Sequence, residues 1–123
     1  MTRLRLSKNF TIEEFDCRDG TPVPPELILN IRLLVATILQ PLRDALGEPV
    51  CILSGYRSEA HNKAVGGVKN SQHLFGKAAD IAVKSKTPKQ LARLIEKWID
   101  PRGMGVYSGF VHVDIRSGKR ARW

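Results

Sequence analysis

The stretch SQHLFGKAAD, residues 71–80, restricts the fold more than any other, because it sets His73 and Asp80 seven positions apart around Gly76 in a chain with three histidines. As one helix, the pair would share a face but stand about 10.5 Å apart along the axis, too far for one ion held through bonds of about 2 Å. As one continuous strand, they would point to opposite faces. A turn at Gly76 followed by a strand through Ala78 to Asp80 removes both obstacles by folding His73 back over Asp80, and the small Gly76, Ala78 and Ala79 permit the close approach. A third ligand then has to come from elsewhere. His112 lies in GFVHVDIR, where Val111, Val113 and Ile115 face one side of a strand and Phe110, His112 and Asp114 the other. His73, Asp80 and His112 with an open fourth position make a hydrolytic zinc arrangement: three ligands fix Zn2+, and the fourth position holds a water of lowered pKa. Singly, each residue reads as well as a polar turn or a satisfied core histidine; the joint pattern favours metal.

Composition limits what surrounds such a site. The 123 residues, 42% hydrophobic and 26% charged, fit one compact domain spanning 1–123. The start MTRLRLSKNF has basic residues but no apolar stretch or cleavage site, and no run approaches 18 apolar residues. A monomer made in the cytoplasm, without an export signal or membrane insertion, is therefore expected. Twenty Lys and Arg against twelve Asp and Glu give +8, which favours polyanionic surroundings such as nucleic acid, anionic lipid or a bacterial wall. Nucleic-acid binding rests only on that charge and the tail RSGKRARW; with no recognised motif, it is not expected. Cys17 and Cys51, far apart and outside any CxxC, read as free thiols.

The elements follow in order along the chain. Thr11 with Glu14 forms a capping-box pattern that starts a short helix over 11–15. Leu27, Ile28, Ile31, Leu34, Val35, Ile38, Leu39 and Leu42 recur at helical spacing, with Pro41 expected to kink or divide the helix near Gln40 and Gly47 with Pro49 to end it. Residues 50–54 and 78–83 read as strands, and Ser58 as a helix cap. Thr87, Pro88 and Gln90 start the clearest helix, whose stripe of Leu91, Leu94, Ile95, Trp98 and Ile99 is assigned to the core. Two short strands around Ser108 and Gly109 close the chain. Strands and helices mix without βαβ regularity, which predicts an α+β domain with a small antiparallel sheet flanked by helices.

SQHLFGKAADI followed by GFVHVDIR resembles the SxHxxGxAxD and C-terminal HxD motifs of the zinc D-Ala-D-Ala peptidases, whose fold is shared with the hedgehog signalling domain. GYRSEAHNKAVGG resembles the segment before the first ligand, and NFTIEEFDC looks like the N-terminal block of the short, phage-associated branch. The resemblance covers nearly the whole chain. It implies that His73, Asp80 and His112 are zinc ligands, that Arg57 polarises a scissile carbonyl or holds a substrate carboxylate, and that Ser71 hydrogen-bonds substrate. The implied activity is hydrolysis of peptide bonds in peptidoglycan, as a D-Ala-D-Ala carboxypeptidase or a cross-link endopeptidase, with phage lysis or virion delivery as one setting and cytoplasmic recycling another.

One position departs from that pattern. Many relatives carry Glu or Asp three residues before the last histidine as general base, where this chain has Gly109. Asp114, on the His112 face about 6.5–7 Å along the strand, is the candidate to move the proton instead, or else a carboxylate that only orients the histidine. Ser71 reads equally as a turn-stabilising hydroxyl. Tyr107 is a candidate pocket residue or an ordinary edge-strand tyrosine. His61 is a candidate substrate contact, against an exposed or capping histidine. The missing acid also leaves room for a non-catalytic binding or virion-assembly module that keeps its zinc for structure.

Overall fold

A computed structural model describes residues 3–123; Met1 and Thr2, where the stretch inspected for an export signal begins, lie outside that range. The capping signals act as their residue types require. A 3-10 turn covers Ile12–Phe15, with the Glu14 carboxylate accepting the Thr11 N–H at 2.7 Å. Helix α4 spans Pro88–Trp98, where the Thr87 hydroxyl accepts the Gln90 N–H at 3.2 Å and the Gln90 side chain accepts the Thr87 N–H at 2.9 Å. Leu91 and Ile95 are buried, but Trp98, assigned to the core from its place in the stripe, is 44% exposed. It is the last helical residue, so the stripe outruns the core beneath it, and Ile99 at the C-cap packs there instead.

The long apolar helix meets Pro41 differently from the expected kink. α1 (Ile28–Leu34) runs through a five-residue π segment, Val35–Leu39, into α2 (Gln40–Leu46). A proline lacks an N–H and crowds the carbonyl four residues back, here that of Thr37. The wider turn relieves both conflicts: the Gln40 N–H reaches the Val35 carbonyl, and the chain stays helical up to Gly47, which closes it at φ 69°. By length and composition the 22-residue run Pro25–Leu46 is apolar enough to cross a membrane, which the sequence did not lead us to expect. Ile31, Leu34, Val35, Ile38, Leu39 and Leu42 along it are fully buried against the rest of the chain, so it is the principal core helix.

Five strands form one sheet in the order β1 (Cys51–Ser54), β2 (Ala78–Ala82), β4 (Val111–Asp114), β3 (Gly103–Val106) and β5 (Ala121–Arg122). The first four pair antiparallel, as expected; β5 pairs parallel to β3. Ile52, Ala79, Ile81, Val111, Val113 and Met104 join the helical residues in one apolar cluster. The alternate residues of the same strands are left to face the other side. The basic tail is part of this fold: Arg122 pairs with Glu96 at 2.7 Å and Asp100 at 2.9 Å, and Arg120 pairs with the same two acids.

The burial of α4 sets a stability contrast. Ile95→Ala should cost about 2–5 kcal/mol in urea unfolding, because it opens a cavity in a closed core. Trp98→Ala should cost less than half of the Ile95→Ala loss despite removing more atoms; a larger loss at Trp98 would place that ring inside the core after all.

Candidate metal centre

Register assembles the centre. The β2–β4 pairing sets Asp80 directly opposite His112, and Ser54 on β1 and Gly105 on β3 extend the same row. His73 arrives from a 3-10 turn, Gln72–Phe75, that ends at Gly76 with φ 67°. Only a left-handed residue there turns the chain straight back into β2, so His73 folds over Asp80 as its spacing demands. The three side chains are buried, and Asp80 Oδ1 lies 3.2 Å from His73 Nε2 and 3.0 Å from His112 Nδ1.

Both nitrogens of each ring face acceptors. His73 Nδ1 meets the Gly55 carbonyl at 2.7 Å, and His112 Nε2 meets Asp114 Oδ2 at 2.7 Å. A neutral imidazole has one N–H to donate. With those protons spent outward on Gly55 and Asp114, two lone pairs converge beside a carboxylate oxygen, an arrangement that a metal ion, or a further ring proton, would hold together. Two imidazoles and one carboxylate with ligand atoms all within 4.8 Å of one another are a donor set suited to a divalent metal.

Asp114 stands behind this cluster. Its fully buried carboxylate accepts from His112 Nε2 and three times from Arg116: the backbone N–H at 3.1 Å, Nε at 2.9 Å and Nη2 at 2.7 Å. Asp114 does not line the cleft, and it meets the His112 ring nitrogen opposite the one that faces Asp80. A carboxylate in this placement is set to orient the His112 ring, the second of the two roles that its spacing allows. Gly103, opposite Asp114 in β3, makes the arrangement possible, since a Cβ there would stand 2.2 Å from Asp114 Oδ1.

The cluster opens into a cleft of about 460 Å³ lined by Arg57, the 65–68 loop, Tyr107, Arg116 and Trp123 among others. Arg57 reaches Asp80 Oδ2 at 3.3 Å and Asn62 Oδ1 at 3.2 Å. Buried Asn62 in turn donates to the Val68 carbonyl at 2.9 Å, tying Arg57 to the cleft wall.

A model of the family described as Peptidase M15 matches residues 7–114, the span that contains every residue of this cluster. The chain belongs to the Peptidase M15 family. It is also 43% identical over 49 residues to the zinc D-Ala-D-Ala carboxypeptidase of Streptomyces albus G, a match covering 39% of this chain and 19% of that relative.

Within this M15 chain the remaining candidates divide. Ser71 lines the cleft, but its hydroxyl is already engaged, accepting the His73 N–H at 3.2 Å. Tyr107 lines the cleft as well, stacked on Phe110 with ring centroids 4.5 Å apart. His61 does not line it; the ring is grouped with Cys17 and Asp19. Sequence reasoning missed Asn62 and Trp123; it offered Arg116 or Arg57 as the partner of a structural Asp114, and Arg116 is the one that pairs with it. The Trp123 indole lies 5.2 Å from the His112 ring, carries the Arg116 guanidinium 4.9 Å above it and donates from Nε1 to the Tyr107 hydroxyl at 2.7 Å. Gly105 leaves space for that indole, because a Cβ there would be 2.3 Å from Nε1. Only the aromatic at the end of RSGKRARW hinted at more than a charged tail.

The electrostatics follow from the contacts. Burial opposes ionisation of Asp80, but hydrogen bonds and charge from His112 and His73 outweigh it and hold the carboxyl well below the usual range. Burial likewise works against charge on His112, yet hydrogen bonds to Asp114 and Asp80 raise it above its ordinary 6.5. A raised folded value means that protonated His112 stabilises the metal-free fold below the unfolded value, a contribution lost as pH rises through the folded one. Metal competes for the same nitrogen. The rise in melting temperature on adding zinc should therefore grow as pH rises through 6.5 and above it. An increment that shrinks over that range would remove His112 from the ligand set.

Gly103→Ala tests the support behind His112. The new methyl would displace the Asp114 carboxylate, and zinc affinity measured by competition with a chelator should fall about 10- to 100-fold with the helical circular dichroism retained.

Proposed function

We propose that this chain is a zinc-dependent peptidase acting on the peptide stems of bacterial peptidoglycan, at or next to a D-Ala-D-Ala terminus. The observation that carries this reading is the buried His73–Asp80–His112 cluster opening into a cleft beside Arg57. The name of the Streptomyces relative supports both the metal and the substrate class. A zinc ion held by these three residues would supply Lewis acidity and an acidified water at the cleft floor. Arg57, fixed by Asp80 and Asn62, has its guanidinium poised to offset charge developing on a carbonyl oxygen or to hold a substrate carboxylate. Tyr107 and Trp123 form the apolar wall against which a short peptide would lie. The net charge of +8 suits an anionic wall polymer. The N-terminal block NFTIEEFDC favours a phage-associated role, in lysis or virion delivery.

A second reading, a binding module of the same fold, is favoured by one observation. Apart from the ligand Asp80, no carboxylate lines the cleft among the described residues, and the Gly109 position that carries the acid in many relatives is an exposed turn.

Digestion of purified peptidoglycan by the zinc-loaded protein, read by mass spectrometry, separates the two. Release of D-alanine identifies a carboxypeptidase, and conversion of dimeric to monomeric stems an endopeptidase. Intact sugar-linked peptides throughout, with zinc bound, would leave the binding module. Arg57→Lys should lower turnover by at least about tenfold while zinc content stays unchanged, because an ammonium cannot replace the planar fork.

A further inference from the structure

Outside the cleft, one other group of side chains has metal-ligand chemistry. Cys17 and Asp19 lie on the loop after the first 3-10 turn, and His61 lies on α3 (Glu59–Ala64). One ligand atom from each falls within 4.8 Å of the other two. We propose that Cys17, Asp19 and His61 form a second site for a zinc-class transition metal, distinct from the His73–Asp80–His112 centre and independent of the reading of that centre's function.

The donors are suited to this before any ion arrives. Cys17 is a free, buried thiol, and its sulfur accepts the Ser58 backbone N–H at 3.4 Å. The Asp19 carboxyl is held well below the usual carboxylate range, by the Ser58 hydroxyl at 2.6 Å and the Thr21 N–H at 2.9 Å, so it stays anionic. Tetrahedral zinc with bonds of about 2.0–2.3 Å needs donors roughly 3.4–3.7 Å apart. Separations of up to 4.8 Å close to that by side-chain rotation at Asp19, which is exposed, and His61, which is half-buried. Three protein donors leave a fourth position open to solvent on the Asp19 side. A thiolate beside an imidazole selects zinc or cobalt over magnesium or calcium, which prefer oxygen. An ion here would staple the loop before the core helix to α3. The stapled segment adjoins Arg57, because Ser58 contacts both Cys17 and Asp19.

Sulfur makes the site separable from the first, whose donors are nitrogen and oxygen alone. The full chain, reduced and stripped of metal, would be titrated with Co2+ and with Zn2+. The proposal expects about two equivalents of either metal. The cobalt form should show a thiolate-to-metal charge-transfer absorption that persists in Cys51→Ser and is lost in Cys17→Ser and in His61→Ala. The near-ultraviolet circular dichroism of each variant would be read alongside to show that it remains folded. His73→Ala should remove the other equivalent and leave the charge-transfer band in place. A wild-type protein that saturates at about one equivalent with no such band overturns the proposal, and this needs no variant to fold. So does a band that survives Cys17→Ser or that is unchanged by His61→Ala.

Discussion

The pairing of β2 with β4 in the register that sets Asp80 opposite His112 is the constraint on which the candidate site depends. A slip of one residue would turn Asp80 and His112 into the apolar cluster and bring Ala79, Ile81, Val111 and Val113 out to the cleft. The apolar faces of these two strands therefore fix the site by fixing which residues are left over. Ser54 and Gly105 continue the row on either side, so one line across four strands runs from the partner of Arg57 to the glycine beneath Trp123.

Burying two histidines and two aspartates beside that row is costly unless each charge and each N–H is answered. Outward bonds to Gly55 and Asp114 orient the rings, Arg116 neutralises Asp114, and Arg57 shares Asp80. Two ring nitrogens converge on one carboxylate oxygen of Asp80, a donor set suited to a divalent cation. Glycine enters as empty space: Gly103 receives the Asp114 carboxylate and Gly105 the Trp123 indole.

Elsewhere the fold absorbs local conflicts without passing them to the site. Pro41 is accommodated by a π turn inside the core helix. The basic tail is turned inward by Glu96 and Asp100 and becomes the strand that carries Trp123 to the cleft. Part of the +8 charge is thus committed to holding β5 against α4.

Local signals were enough for the sequence to determine the α+β class, the Thr87 cap, the turn at Gly76 and the candidate trio His73, Asp80 and His112, because each rests on spacing, capping chemistry or side-chain alternation within a few residues. Tertiary structure decided what depends on distant neighbours. The exposure of Trp98 follows from where the core ends, which helical periodicity does not encode. Asp114 shares the His112 face as its spacing says, but which ring nitrogen it meets depends on Gly103 across the sheet and on the Arg116 fork. His61 is removed from the cleft by the loop that brings Cys17 and Asp19 to it, and Trp123 is brought there by a parallel strand pairing. Sequence spacing is a one-dimensional record of local geometry; partners that meet through sheet register and loop closure leave no such record in it.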